Sequence, residues 1–336
     1  MISDFFASII IPVYNDSEEL EKVLHGIGMQ TFSRERYEVI VVDNGSTDHT
    51  RDLVQRFGDV IYLREDNYLN SPYSCRNRGL EVAKGGVIVL LDATCIPEPD
   101  WLKQGMACIE KSGADIVSSH VLFDFRNRVT AAKLYDSNNL SKESVMKSNG
   151  VAKTASLFIK KEVFDKAGRF PEGVRSGADV RWSSRASGMG FTMEYCYDSI
   201  ARKKARSFTA SVRKQWRVGK GQPAIRREQG KYLNPWKLLA GSLLPPHPAR
   251  VSKLTENKGV EVTHYLIFKL YFVAWFIWVT MALANIYGSY FLKEEMNGLD
   301  VKDNLTPERD MPGMFNDFDF NKNGTNSHVY TGSAKE

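Results

Sequence analysis

The amino-acid sequence predicts an α/β fold, a mostly parallel sheet flanked by helices. Three observations carry this. Short apolar runs alternate with helical patterns through the first third of the chain. That alternation implies crossovers and a sheet covered on both faces. Three of the runs also end in short polar loops, and open parallel sheets bind ligands beyond the carboxyl ends of their strands.

The elements follow in order. Residues 8–13 (SIIIPV) read as the first strand. Residues 17–30 read as a helix, with Leu20, Val23, Leu24 and Ile27 on one face and Ser17 as the candidate N-cap. Residues 38–42 form a second strand, 47–57 a short helix and 60–63 a third strand. Residues 71–83 form a helix closed by Gly85 and Gly86, and 87–91 the fourth strand. Beyond residue 115 the pattern loosens. Residues 115–123 and 154–159 read as strands, 161–167 and 179–189 as helices, and 126–150 as irregular. Residues 207–220 form a basic helix, and Pro245, Pro246 and Pro248 break the chain after it.

The polar loops are PVYND (12–16), DNGSTD (43–48) and DAT (92–94). Asn, Asp, Gly and Ser are ordinary turn and cap residues. Three such loops at one edge of a sheet point further, to a ligand site.

With 336 residues, 43% of them hydrophobic, the chain can bury a sizeable core, and wholesale disorder is excluded. Four cysteines show no CxxC or regular spacing, so neither a disulfide framework nor a zinc site is expected, and the thiols read as reduced. The opening MISDFFASIIIPVYN has an acid at Asp4 and no basic start, so no signal peptide is expected.

The net charge of +5 is unevenly spread. Residues 201–260 hold 15 Lys and Arg against Glu228 and Glu256 alone, whereas residues 293–336 hold five basic and nine acidic residues. Between these blocks, residues 270–292 carry no formal charge. At about 1.5 Å per residue they reach across a bilayer core of about 30 Å. A transmembrane or membrane-anchoring helix is expected over 264–292, preceded by a basic juxtamembrane linker (226–263) and followed by a polar, disordered tail (293–336). A buried or interfacial helix is the alternative. The Lys/Arg excess puts residues 1–260 on the cytoplasmic side of a single pass through the cell (inner) membrane. The same block, 201–260, suits anionic lipid. Arg, Lys and Trp216 interleave in RKQWRVGKG as in some nucleic-acid binders, but beside a membrane segment no nucleic-acid partner is expected.

Four ordered motifs carry a family resemblance: SIIIPVYND, VIVVDNGSTD, CRNRGLEVAKGGVIVLLDA followed by PEPDWL, and GADVRWSSRASGMGF. Over roughly residues 6–220 the chain resembles the inverting family 2 glycosyltransferases of the GT-A fold, which implies a catalytic domain over residues 1–225. The resemblance implies that Pro12 and Tyr14 frame a nucleotide base and that Asp43 contacts it, the base usually being uracil. It places Arg76 near the nucleotide, with Cys75 where the family has Ala. It makes Asp92 the first acid of the DxD motif, touching ribose or metal, and Asp179 the general base. Trp182 becomes a candidate for the acceptor site. The implied partners are a UDP-sugar and a glycan or lipid-linked acceptor in cell-surface polysaccharide or glycolipid assembly.

Two departures bear on the chemistry. The second DxD acid is Thr94, and Lys203 stands where the family places a later His. Both changes remove ligands for Mg²⁺ or Mn²⁺, which prefer carboxylate oxygens. Either Asp92 and the donor diphosphate recruit the metal by themselves, or Lys203, with Arg206, Arg213 or Lys214, compensates the leaving group directly. Asp179 has its own alternative, as the N-cap of its helix. Two further functions stay open: a polyprenyl-phosphate glycosyltransferase, whose acceptor needs no base, and a non-catalytic nucleotide-sugar-binding subunit.

Overall fold

The structure, a computed structural model, describes residues 6–125, 128–138, 143–228, 234–255 and 262–291. Its strands are β1 Ala7–Val13, β2 Tyr37–Asp43, β3 Val60–Arg64, β4 Val87–Leu91, β5 Cys95–Pro97, β6 Ile116–Asp124, β7 Ser156–Lys160 and β8 Met193–Lys204. Its helices are α1 Ser17–Gly28, α2 Thr50–Gln55, α3 Pro72–Val82, α4 Trp101–Ser112, α5 Ala131–Asp136, α6 Glu143–Asn149, α7 Lys161–Ala167, α8 Ala178–Gly188, α9 Phe208–Glu228, α10 Pro235–Leu243, α11 Pro248–Ser252 and α12 His264–Tyr290.

The strands form one sheet in the order β3-β2-β1-β4-β7-β6-β8-β5. The first four are parallel. Here the apolar runs behave as expected: β2 and β4 are buried at every residue, because helices cover both faces. The sheet as a whole is mostly parallel, as expected, with β6 also parallel to β8, but its second half is mixed. β7 pairs antiparallel with both β4 and β6, and β5 antiparallel with β8. An antiparallel strand starts where its predecessor ended. The connection carrying α5 and α6 therefore stays at the carboxyl edge of the sheet, above the expected ligand site.

One apolar cluster packs α1 and α4 on the sheet through Leu20, Val23, Trp101 and Leu102. The other packs α3, α7 and α8 through Leu80, Phe164 and Trp182. Trp101 is fully buried, and its indole N–H donates to Ser119 Oγ at 3.2 Å and Ser156 Oγ at 2.9 Å. That satisfies a donor that would otherwise be costly to bury.

Several elements depart from the expected ones. α4, β5, β8, α10 and α11 arise where the pattern predicted none, and residues 126–150 contain α5 and α6. Ser17 is not the cap of α1: Asp16 holds that position, and the Ser17 backbone N–H donates to Asp48 Oδ2 at 3.0 Å. Pro248 starts α11 rather than only breaking the chain, because a proline at the first helical position loses nothing by lacking an N–H. The catalytic-domain end expected at residue 225 falls inside α9, which runs on to Glu228.

Among the described residues, α12 is the helix long and apolar enough to cross a membrane. It is no bare tether. α9 lies along it, and two glycines allow the approach. A Cβ on Gly219 would sit 2.7 Å from Ala284 Cβ, and one on Gly288 2.2 Å from the Lys220 carbonyl oxygen. Arg226 donates to Asn285 Oδ1 at 3.0 Å and to Gln222 Oε1 at 2.9 Å, so the buried interface also has a polar lock. The expected tail, 293–336, lies outside the described residues.

The close approach predicts that Gly288→Val will destabilise the protein by about 1–3 kcal/mol, the usual range for overpacking. Gly221, with open space around it, should accept Ala without loss. Urea unfolding of the two variants in detergent checks both, and equal midpoints would contradict the packing.

Candidate active site

The carboxyl ends of β1, β2 and β4 form one rim. Register sets Val13 beside Asp43. The first two loops brace each other: the Asn15 N–H donates to Ser46 Oγ at 2.9 Å, and the Thr47 N–H to Asn15 Oδ1 at 2.7 Å. Asn15 holds a φ of +48°, a left-handed conformation that Asn tolerates better than most residues. Asp43 is 1% exposed and accepts from the Ser46 N–H (2.8 Å) and the Tyr62 hydroxyl (2.7 Å). Burial, aided by this carboxylate, pushes Tyr62 up to about 12. Pro12 is half-buried beneath the rim and Tyr14 stands exposed on it.

Asp92 follows β4 directly. Its carbonyl accepts the Cys95 N–H at 2.9 Å, closing a turn that holds Thr94 half-buried. Two cations from distant parts of the chain share its carboxylate. Arg76 on α3 donates from Nη2 to Oδ1 at 2.8 Å, and Lys203 on β8 from Nζ to Oδ2 at 2.8 Å. The register of β8, which sets Lys203 opposite Cys95, places that ammonium. The Arg76 and Lys203 side chains are only 3% and 5% exposed, whereas Asp92 keeps 30%. The acid is thus the open member of a buried triad. Burial would raise the Asp92 pKa, but Lys203 and Arg76 outweigh it and hold the carboxyl below its usual range. Burial likewise opposes the charge of Lys203, and Asp92 more than restores it.

A second carboxylate, Asp136 on α5, repeats the pattern. It is 1% exposed and holds Arg206 at 3.4 Å and Lys214 of α9 at 3.2 Å. Here the cations are in surplus. Burial, with the charges of Arg206, Lys153 and Lys203, brings Lys214 down to about 7 in spite of Asp136.

Asp179 lies in the first turn of α8. The N-cap is Gly177 rather than Asp179, so the capping alternative does not hold. Its Oδ1 accepts from the Tyr73 hydroxyl at 2.9 Å and the Val180 N–H at 3.0 Å. Tyr73 sits one turn before Arg76 on α3, with the guanidinium 5.4 Å from its ring centre. One helix face therefore ties Asp179 to Asp92.

The structure brings Asp92, Arg76 and Lys203 into direct contact, and joins Arg206 to them through the charges around Asp136. Two expected residues are not at the site. Trp182 is 1% exposed, stacked on Phe164 with ring centres 4.7 Å apart, its indole N–H given to the Gly168 carbonyl. It is core and lines no acceptor surface. Arg213 is exposed on the outer face of α9. Sequence reasoning missed Tyr73, Asp136 and Arg217, whose Nη1 donates to the Arg175 carbonyl at 2.7 Å. Tyr73 had a signal, its spacing from Arg76. Asp136 had none.

The residues present do not by themselves fit a divalent cation. Both Asp92 oxygens are bonded to cations, Thr94 carries no charge, and no group of three His, Cys, Asp or Glu among the described residues could hold one.

A sheet whose carboxyl edge carries acid-led loops, with a facing carboxylate and a cationic floor, defines an α/β group-transfer enzyme for anionic donors. Residues 8–168 match Glycosyl transferase family 2. Over 306 residues the chain is 37% identical to Glycosyltransferase AglE of Haloferax volcanii, covering 86% of this chain and 97% of that protein. Over 103 residues it is 32% identical to Validoxylamine A glucosyltransferase of Streptomyces hygroscopicus subsp. jinggangensis, covering 30% of this chain and 24% of that one. Mannosyltransferase PcManGT from Pyrobaculum calidifontis, in complex with GDP-Man and Mn²⁺, shares the fold with a TM-score of 0.57 at 20% identity, over 85% of this chain and 87% of that one. The chain belongs to glycosyl transferase family 2: it is a GT-A-fold enzyme that acts on nucleotide sugars.

Lys214 supplies a pH test. An anion entering the cluster raises its pKa from about 7, so binding above pH 7 takes up a proton and weakens as pH rises. Calorimetry with UDP in two buffers of different ionisation enthalpy should show that uptake, and Lys214→Met should abolish it.

Proposed function

We propose that the enzyme transfers a sugar, with inversion, from a UDP-sugar to a hydroxyl of a glycan or lipid-linked acceptor in cell-surface polysaccharide or glycolipid assembly. The observation that carries this reading is the Asp92 triad at the end of β4, linked through Tyr73 to Asp179. Pro12, Tyr14 and Asp43 hold the base, and Arg76 and Asp92 hold the ribose and first phosphate. The acceptor oxygen attacks the anomeric carbon while Asp179 takes its proton. Oδ2 serves, since Oδ1 already has two donors. The bond from the anomeric carbon to the diphosphate oxygen breaks, and UDP leaves with the electron pair. Lys203 and Arg206 meet its growing charge, as fixed positive groups do in leaving-group stabilisation. α12 anchors the enzyme at the membrane through the face that α5 and α9 leave uncovered, with the catalytic domain cytoplasmic and the basic block against anionic lipid.

Two measurements test this. Calorimetric titration with UDP and with GDP, in EDTA and in Mn²⁺, should show UDP preferred and EDTA tolerated. Binding seen only with Mn²⁺ would overturn the role given to Lys203. Asp179→Asn should lower kcat by about 10²–10⁴-fold, the usual worth of a general base, with donor affinity unchanged. Full turnover in that variant would favour a polyprenyl-phosphate acceptor, which brings its own nucleophilic oxygen.

A further inference from the structure

A helix that is apolar all round needs apolar surroundings all round. Residues 270–292 carry no formal charge, yet the protein surrounds α12 on one side only. There Leu270, Ala274, Ile277, Met281 and Ala284 are buried. On the other side Phe268, Phe272, Phe276, Leu283, Tyr287 and Tyr290 are between 39% and 60% exposed. These six recur at steps of three, four or seven, so they form one stripe along the helix. The covered side is just as long. The apolar cluster built on α5 reaches α12 from Leu266 to Trp278. α9 takes over from there: the Phe208 ring lies 5.4 Å from that of Phe276, and the Lys220 carbonyl is packed on Gly288. A span needs about 20 residues in hydrocarbon. An upright α12 would carry α9 from the middle of the bilayer through one whole leaflet. α9 bears Arg213, Lys214, Arg217, Lys220, Arg226 and Arg227, and charge in hydrocarbon is costly. Two of these cations are fixed to α12 itself, Lys220 5.6 Å over the Tyr287 ring and Arg226 on Asn285 at 3.0 Å.

We infer that α12 does not cross the membrane: it lies in the membrane plane, its bare stripe in the headgroup and acyl boundary of an anionic bilayer, with both ends on the side of the catalytic domain. This rests on the membrane reading of α12 and gives it a topology other than the single pass expected from the sequence. An anionic bilayer fits the stripe in two ways. Five of its six residues are aromatic, and Trp236 of α10 joins it, the indole N–H reaching the Tyr290 hydroxyl at 3.0 Å. The flanking block 201–260 holds 15 Lys and Arg against two acids. A second copy on this face would set that block against its own cations. The sequence reads as a span because uniform apolarity does not say that protein covers one half of the helix.

The test uses the full chain and vesicles of phosphatidylcholine with phosphatidylglycerol, with which it should float. Nitroxide labels on Phe268→Cys, Phe276→Cys and Tyr287→Cys, all exposed positions, report depth, with the unsubstituted chain as the blank. All three should lie within about 5–10 Å of the headgroup boundary. A label at 276 near the middle of a core about 30 Å thick, with 268 and 287 nearer its two surfaces, would overturn the proposal. A topology measurement in bacterial cells needs no substitution. Green fluorescent protein fused after Glu336 should fluoresce, and alkaline phosphatase fused there should stay inactive. Active phosphatase and a dark fluorescent protein would overturn the in-plane pose and leave the membrane reading standing. A chain that fails to float and sediments as a dimer would overturn both, making the stripe a contact between copies.

Discussion

The sharing of the Asp92 carboxylate between Arg76 and Lys203 is the constraint on which the site depends. A carboxylate with a third of its surface open, placed over two nearly buried cations, is stable only if each partner is held by its own element. α3 supplies one, β8 the other and the turn after β4 the acid, so the contact joins three parts of the fold, with Lys203 111 residues beyond Asp92. Removing either cation would leave buried charge with half its compensation, and breaking such pairs is strongly destabilising. The triad is therefore a structural clasp set at the carboxyl edge of the sheet. Tyr73 extends it, since the helix face that presents Arg76 also fixes Asp179.

The second clasp, Asp136, joins the apolar helix α12 to the charged cluster. α5 packs on α12 through Leu134 and Tyr135, and the next residue, Asp136, holds Arg206 and Lys214. α9 is pressed on α12 at Gly219 and Gly288. Lys214 is thus positioned by a helix that packs on α12, whereas Lys203 is positioned by the sheet. A shift of α12 against α9 would move Lys214, which ties the packing of the apolar helix to the charge of the cluster.

Much of this was legible in the sequence, for physical reasons that differ by residue. β1, β2 and β4 were plain because strands buried on both faces must be apolar throughout. The Asp92 turn was plain because an acid directly after such a strand has few structural excuses. Lys203 was found only through its motif, since nothing in MEYCYDSIARKK marks a strand that would set it opposite Cys95. Trp182 was misplaced because a large aromatic on a helix carries no sign of which face it serves. Phe164 and Phe170, which bury it, lie in other segments. Asp136 was out of reach: it sits in a stretch without periodicity, and its partners lie 70 and 78 residues away.

The charge arithmetic explains how the site can lack a second acid and still serve a diphosphate. A divalent cation held by one added carboxylate contributes a net charge of about one positive unit. The neutral Thr94 together with the ammonium of Lys203 contributes the same. The substitution at 94 and the one at 203 therefore make sense only as a pair, since either alone would leave the leaving group under- or over-compensated. The two lysines of the cluster also divide the work by their surroundings. Asp92 keeps Lys203 charged despite burial, so it is a fixed counter-charge across physiological pH. Burial lowers Lys214, and the neighbouring charge of Arg206 adds to that, in spite of Asp136. A site built this way holds one permanent positive charge and one that is completed only when an anion arrives.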